Sequence, residues 1–101
     1  MKGNIVENEL FGFGEALDML EAGGNVARIG WNDKYMFGKN MFLFLTPSST
    51  FKVTRHPLLG VYPAGTEINY QPHIDMKTAD GTVVPWVASQ SDLLAKDWKE
   101  V

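Results

Sequence analysis

The sequence contains no cysteine. That absence excludes a disulfide scaffold, a thiolate zinc site and a cysteine nucleophile, and it fits a reducing compartment. Basic residues are also scarce: nine Lys and Arg stand against twelve Asp and Glu, for a formal net charge of −3. A protein that grips duplex DNA shows a cationic face, so DNA is not an expected partner. Two or three cations would still suffice to clamp a small phosphorylated ligand. No apolar run approaches the roughly 20 residues that span a bilayer, and the longest, Met41 to Leu45, is strand-sized. The stretch Met1 to Glu9 lacks the apolar segment of a signal peptide, so a soluble protein that stays in the cell that makes it is expected. Enzyme signatures are missing too: there is no G-x-S-x-G, H-E-x-x-H, Walker loop or G-x-G-x-x-G. Phe11-Gly12-Phe13-Gly14 opens a helix without a preceding strand and carries no weight as a phosphate loop.

What is present describes one α+β domain. The chain has 101 residues, 45 % of them hydrophobic, with three Trp, three Tyr and six Phe, which is enough for a core without staples. Residues 1–10 show no periodicity and read as a flexible extension ahead of a domain over 11–101. Phe13, Ala16, Leu17 and Leu20 form a helical stripe, and Gly23-Gly24 ends it. A helix over roughly Phe13 to Ala22 follows. The period then changes to two in Val26 to Ile29 and Met41 to Leu45, the latter central because both of its faces are apolar. Thr50 to Thr54 reads as a further short strand, and His56 to Gly65 as a long ordered loop. Ile74 to Thr78 and Thr82 to Val84 flank Asp80-Gly81, a hairpin turn. Ser89-Gln90-Ser91-Asp92 has the form of a capping box ahead of a short helix, and Asp97 to Val101 reads as an edge strand. An antiparallel sheet packed against the N-terminal helix is the expected architecture.

Candidate chemistry lies in the aromatics and amides. Trp31, Tyr35, Phe37, Tyr62, Tyr70 and Trp86 sit in or beside loops and strand ends, whereas Trp98 is assigned to the core. Taken singly, each of the six reads first as a core residue. Together with Asn32, Asn69, Gln71, Ser89 and Gln90 they supply what a nucleobase pocket needs, π faces for stacking and polar groups for base edges. Arg28, Lys39 or Arg55 would meet phosphates. His73 and Asp75 share one strand face, but the chain has only one other histidine, too few ligands for a metal site. A hydrogen-bonding or ligand-contacting His73 is the preferred reading.

Several stretches carry a resemblance: Phe13 to Leu17, Val26 to Asn32, Pro57 to Pro63, Glu67 to Lys77 and Val84 to Trp98. In combination, and in this order from Phe13 to Val101, they resemble the phage Thoeris anti-defence family of the second type. The resemblance implies a sponge for an immune signalling nucleotide. A TIR enzyme turns NAD into a cyclic ADP-ribose isomer, and the sponge binds it intact, so that the effector is not activated. It further implies a homodimer or homotetramer with the pocket between protomers, and in some relatives capture of cyclic oligonucleotides at a separate site. No enzymatic activity, cofactor or metal is expected, and the setting is the cytoplasm of an infected or prophage-carrying bacterium. The site residues so assigned are Arg28, Trp31, Asn69, Tyr70, His73, Trp86, Ser89 and Gln90, with Arg55 as an alternative phosphate contact. Two features depart from the family pattern, the extension before Phe11 and an enlarged segment from Asp33 to Asn40. Competing readings are a sponge mainly for cyclic di- or trinucleotides, a phosphodiesterase or NAD-glycohydrolase, and a phage structural or interaction protein.

Overall fold

The computed structural model describes residues 9–32 and 40–101. The first helix, α1, spans Phe13–Glu21 and buries Ala16 and Leu20, two members of the stripe read from the sequence. It ends as glycine permits. Gly23, at φ +95°, donates its N–H to the Leu20 carbonyl, and Gly24 donates to that of Met19, which together make a Schellman cap. Strand β1 is Val26–Arg28, and Ile29–Trp31 turns as one 3₁₀ coil. Then come β2 (Phe42–Thr46), β3 (Ser49–Lys52), β4 (Glu67–Tyr70), β5 (His73–Lys77) and β6 (Val83–Pro85). A short helix α2 (Gln90–Leu94) and strand β7 (Trp98–Glu100) complete the order.

Five strands form one antiparallel sheet in the order β6-β5-β2-β1-β7, with β2 central as its two-faced apolarity implies. Alternation sends Leu43 and Leu45 of β2 and Ile74 and Met76 of β5 to one face. There they join Phe11, Leu20, Val26 and Trp98 beneath α1. The opposite face carries Phe42, Phe44 and Thr46 beside His73, Asp75 and Lys77. Trp98 is fully buried, which bears out its assignment to the core.

Strands β3 and β4 form a separate two-stranded arm. Its pairing has the same register as that of β2 with β5, since every partner pair in both ribbons has the same sum of residue numbers. The arm is therefore the outer half of one long hairpin. Within that register Pro47 falls opposite Pro72 and Ser48 opposite Gln71, and the ladder is interrupted at these two pairs. Proline has no N–H to donate and restricts the residue before it, so two facing prolines mark where the sheet gives way to the arm. Among the described residues, strand β4 is the one strand that the sequence pattern does not suggest, and Ile29, read there as strand, instead opens the 3₁₀ coil. Glu-Ile-Asn-Tyr is short and mostly exposed, and its pairing with β3 depends on residues about twenty positions away.

Candidate functional site

The aromatic residues gather at the helical end of the core face. Trp98 lies at the base, with Trp31 at 5.3 Å and 77° and Trp86 at 6.1 Å and 87°, both edge-to-face. Trp31 and Trp86 meet each other at 6.4 Å and 66°, and Phe13 packs against both Trp86 and Trp98. Edge-to-face contacts of this kind suit the ring quadrupoles. Trp98 is closed off, but Trp31 and Trp86 are only half-buried, so part of each indole stays open. The 3₁₀ coil after β1 places Trp31, and the chain leaving β6 places Trp86, whose N–H donates to the Ile74 carbonyl at 3.1 Å.

Helix α2 borders this wall. Its capping box is reciprocal: the Asp92 N–H donates to Ser89 Oγ, and the Ser89 N–H donates to Asp92 Oδ2, both at 3.1 Å. Ser89 is thus engaged as a cap, while Gln90 stands exposed in the first turn. Arg28 is engaged as well. Its Nε donates to Asp97 Oδ1 at 2.9 Å and its Nη1 to Asp92 Oδ1 at 3.1 Å. The Asp97 bond, then the Asp92 bond, hold the guanidinium pKa above its ordinary value. Desolvation opposes ionisation of Asp92, but the bonds from the Ser89 N–H, the Ser89 hydroxyl and Arg28 outweigh it and lower its pKa. With both carboxylates on it, Arg28 fastens α2 and β7 to β1. The sequence gives no warning of this, because its partners lie 64 and 69 positions away.

A second group forms where the arm leaves the sheet. The rings of Tyr70 and His73 stack at 4.4 Å and 16°. His73 Nδ1 lies 2.8 Å from the Gln71 carbonyl oxygen, and Nε2 lies 3.3 Å from Asp75 Oδ2. Asp75 is the one buried charged residue among those described, and it accepts a bond of 2.6 Å from Thr46 Oγ. Asn69, exposed on β4, pairs with Thr50 and projects to the face opposite its neighbour Tyr70. Trp86 packs into the core face while His73 belongs to the reverse face. The eight assigned residues thus divide into a tryptophan group with Arg28, Ser89 and Gln90, and a hinge group with Tyr70, His73 and Asn69. Tyr35, Phe37 and Lys39, in the segment from Asp33 to Asn40, lie outside the described residues.

The arm holds a concavity of about 440 Å³ lined by residues 51–58, among them Phe51, Lys52, Arg55 and His56. From Asp33 to Glu67 the chain carries no acidic residue between, although the whole molecule is acidic. The residues lining the concavity include Lys52, Arg55 and His56 and no acid, while Glu67 stands opposite Lys52 on the neighbouring strand. Residue types alone drew attention to Arg55. The acid-free stretch would also have found Lys52 and His56.

Comparison with known proteins places this geometry. A family model described as the Thoeris anti-defense 2-like domain matches residues 11–101. A curated protein of Bacillus phage SP01, Thoeris anti-defense 2, is 44 % identical over 86 residues, which cover 85 % of this chain and 89 % of the relative. The family match over residues 11–101 takes in both the tryptophan wall and the proline-marked arm, and the chain belongs to the Thoeris anti-defense 2-like family.

Proposed function

We propose that the protein acts as a sponge, binding a cyclic ADP-ribose-type signalling nucleotide in the host cytoplasm and holding it intact, so that the Thoeris effector is not activated. Family membership supplies the anti-defence role. The observation that carries the nucleotide reading is the pair of half-open indoles, Trp31 and Trp86, over a buried Trp98. Such a wall offers a base a rigid π face at little conformational cost. Among the described residues no three His, Asp or Glu side chains gather as a metal cluster. Retention without turnover needs only burial and preorganised contacts. The tryptophan group packs on the core face of the sheet and His73 stands on the reverse face, so a pocket that uses both would form between protomers. A homodimer, or a tetramer built from dimers, is the assembly this reading requires.

The arm favours a second reading, capture of cyclic di- or trinucleotides, because its acid-free concavity presents Lys52, Arg55 and His56 to anions. One experiment separates the readings. The protein is incubated with the cyclic product of a TIR enzyme, or with a cyclic dinucleotide, then washed, denatured, and the released material chromatographed. Recovery of the intact cyclic ADP-ribose isomer supports the proposal. Degraded product points to an enzyme, retention of the cyclic dinucleotide alone to the second reading, and no retention to a protein-interaction role.

A further inference from the structure

We infer that Thr46 and Asp75 are positioning residues that hold Tyr70 and His73 as a preformed flat platform, against which the ligand's base stacks; this rests on the nucleotide-binding reading above. The platform stands where it is hardest to keep rigid. Tyr70 ends the arm and His73 begins the sheet strand, with only Gln71-Pro72 between them and the ladder interrupted on both sides. Backbone pairing therefore fixes neither ring relative to the other, and side-chain bonds must do it.

Three contacts orient the His73 ring, and Tyr70 stacks on the ring so oriented. The Gln71 carbonyl holds His73 Nδ1 at 2.8 Å, which requires a proton on that nitrogen because a carbonyl oxygen only accepts. Asp75 Oδ2 stands 3.3 Å from Nε2 on the other side of the ring, an ion pair for the imidazolium form, which is then held at both nitrogens. The Thr46 hydroxyl, donating to the same Oδ2 at 2.6 Å, fixes the carboxylate. Thr46 is His73's direct partner across β2 and β5, so the relay runs from the central strand to the ring on one sheet face. Burying a carboxylate is costly unless its oxygens are engaged. Here the engagement ends on a ring whose plane lies against Tyr70. A stacked pair whose tilt is set in advance loses little freedom when a base joins it, and affinity rises accordingly.

The test uses the whole protein. Thr46→Val keeps the shape of the side chain and removes the donor, Thr46→Ser restores the donor, and Asp75→Asn removes the charge while keeping an acceptor. The His73 ring is followed by ¹⁵N and ¹H NMR without ligand. Binding of the purified cyclic product of a TIR enzyme is followed by calorimetry, and folding by thermal melt. Thr46→Val is expected to shift the His73 ring resonances and weaken binding about threefold to tenfold, the loss of one hydrogen bond. Thr46→Ser is expected to return both to the parent values. If Thr46→Val leaves His73 unmoved, or moves it without changing affinity, the inference is overturned. Should Asp75→Asn melt like the parent and keep both the parent resonances and the parent affinity, the carboxylate has no such role and the inference again fails. Tyr70→Ala tests the underlying reading separately, since undiminished binding there removes Tyr70 from the site whatever Thr46 does.

Discussion

Trp31 and Trp86, 55 positions apart in sequence, meet edge-to-face at 6.4 Å above the buried ring of Trp98. The three indoles differ in exposure, and that separates their roles. Trp98→Ala should cost about 3–5 kcal/mol of stability, since it empties the centre of the core. Trp31→Ala and Trp86→Ala should lower the melting temperature less and weaken nucleotide binding about tenfold to a hundredfold. Calorimetric titration beside thermal melts of the three variants checks this. Undiminished binding by the folded Trp31 and Trp86 variants would reassign both to the core.

Arg28 makes a different prediction from the one its residue type suggests. Because Asp97 and Asp92 occupy its guanidinium, its first duty is to fasten α2 and β7 to β1. Arg28→Lys cannot reproduce the fork that reaches two carboxylates. It should lower the melting temperature and speed amide exchange in α2. Arg28→Ala should do so more strongly. A variant with full stability but lost nucleotide binding would return Arg28 to the phosphate role.

Acid should loosen the hairpin between β5 and β6. Asp80 accepts bonds from the Thr78 hydroxyl and from both the N–H and the hydroxyl of Thr82. These bonds, the Thr78 one foremost, bring its pKa down from 3.8 to about 2. A depressed carboxylate contributes stability that is complete above its ordinary pKa and fades as pH falls toward the folded value. The Thr82 amide should therefore lose exchange protection as pH falls from about 4 toward about 2. Asp80→Asn, which keeps an acceptor but does not titrate, should flatten that dependence. An unchanged pH profile would argue against it.

The Ser89 cap offers a local control. Ser89→Ala should cost about 1 kcal/mol, as the loss of an N-cap usually does. If Ser89 serves only as a cap, a chemical melt should register that loss while nucleotide affinity stays within about twofold of the parent. A large loss of affinity at unchanged stability would instead make Ser89 a ligand contact.

Local chemistry was legible in the sequence wherever neighbours decide it. The stripe from Phe13 to Leu20 and the Gly23-Gly24 stop gave the helix to within one residue. Asp80-Gly81 gave the turn, with Gly81 at φ +93°, and Ser89 with Asp92 gave the capping box. The two-faced apolarity of Met41 to Leu45 placed β2 at the centre of the sheet. Long-range pairing was not legible. The Arg28 fork, the Thr46–Asp75 bond and the exposed strand β4 all depend on partners that the fold alone brings together. The assigned site residues show the same limit. Residue type picked out Trp31, Trp86, Tyr70 and His73, but only the fold reveals that they form two groups, the two tryptophans against the core face and Tyr70 stacked on His73, which stands on the reverse face.

The register shared by sheet and arm turns the arm into a ruler. Removing one facing block from each strand, Thr50-Phe51 with Ile68-Asn69, would shorten the reach by about 7 Å and leave every remaining side chain on its own face. Removing a single pair would invert the whole outer half against the proline boundary. Reach can therefore be retuned only in steps of two residues per strand, and each such step moves Lys52, Arg55 and His56 toward or away from the tryptophan wall while leaving the helix-covered core untouched.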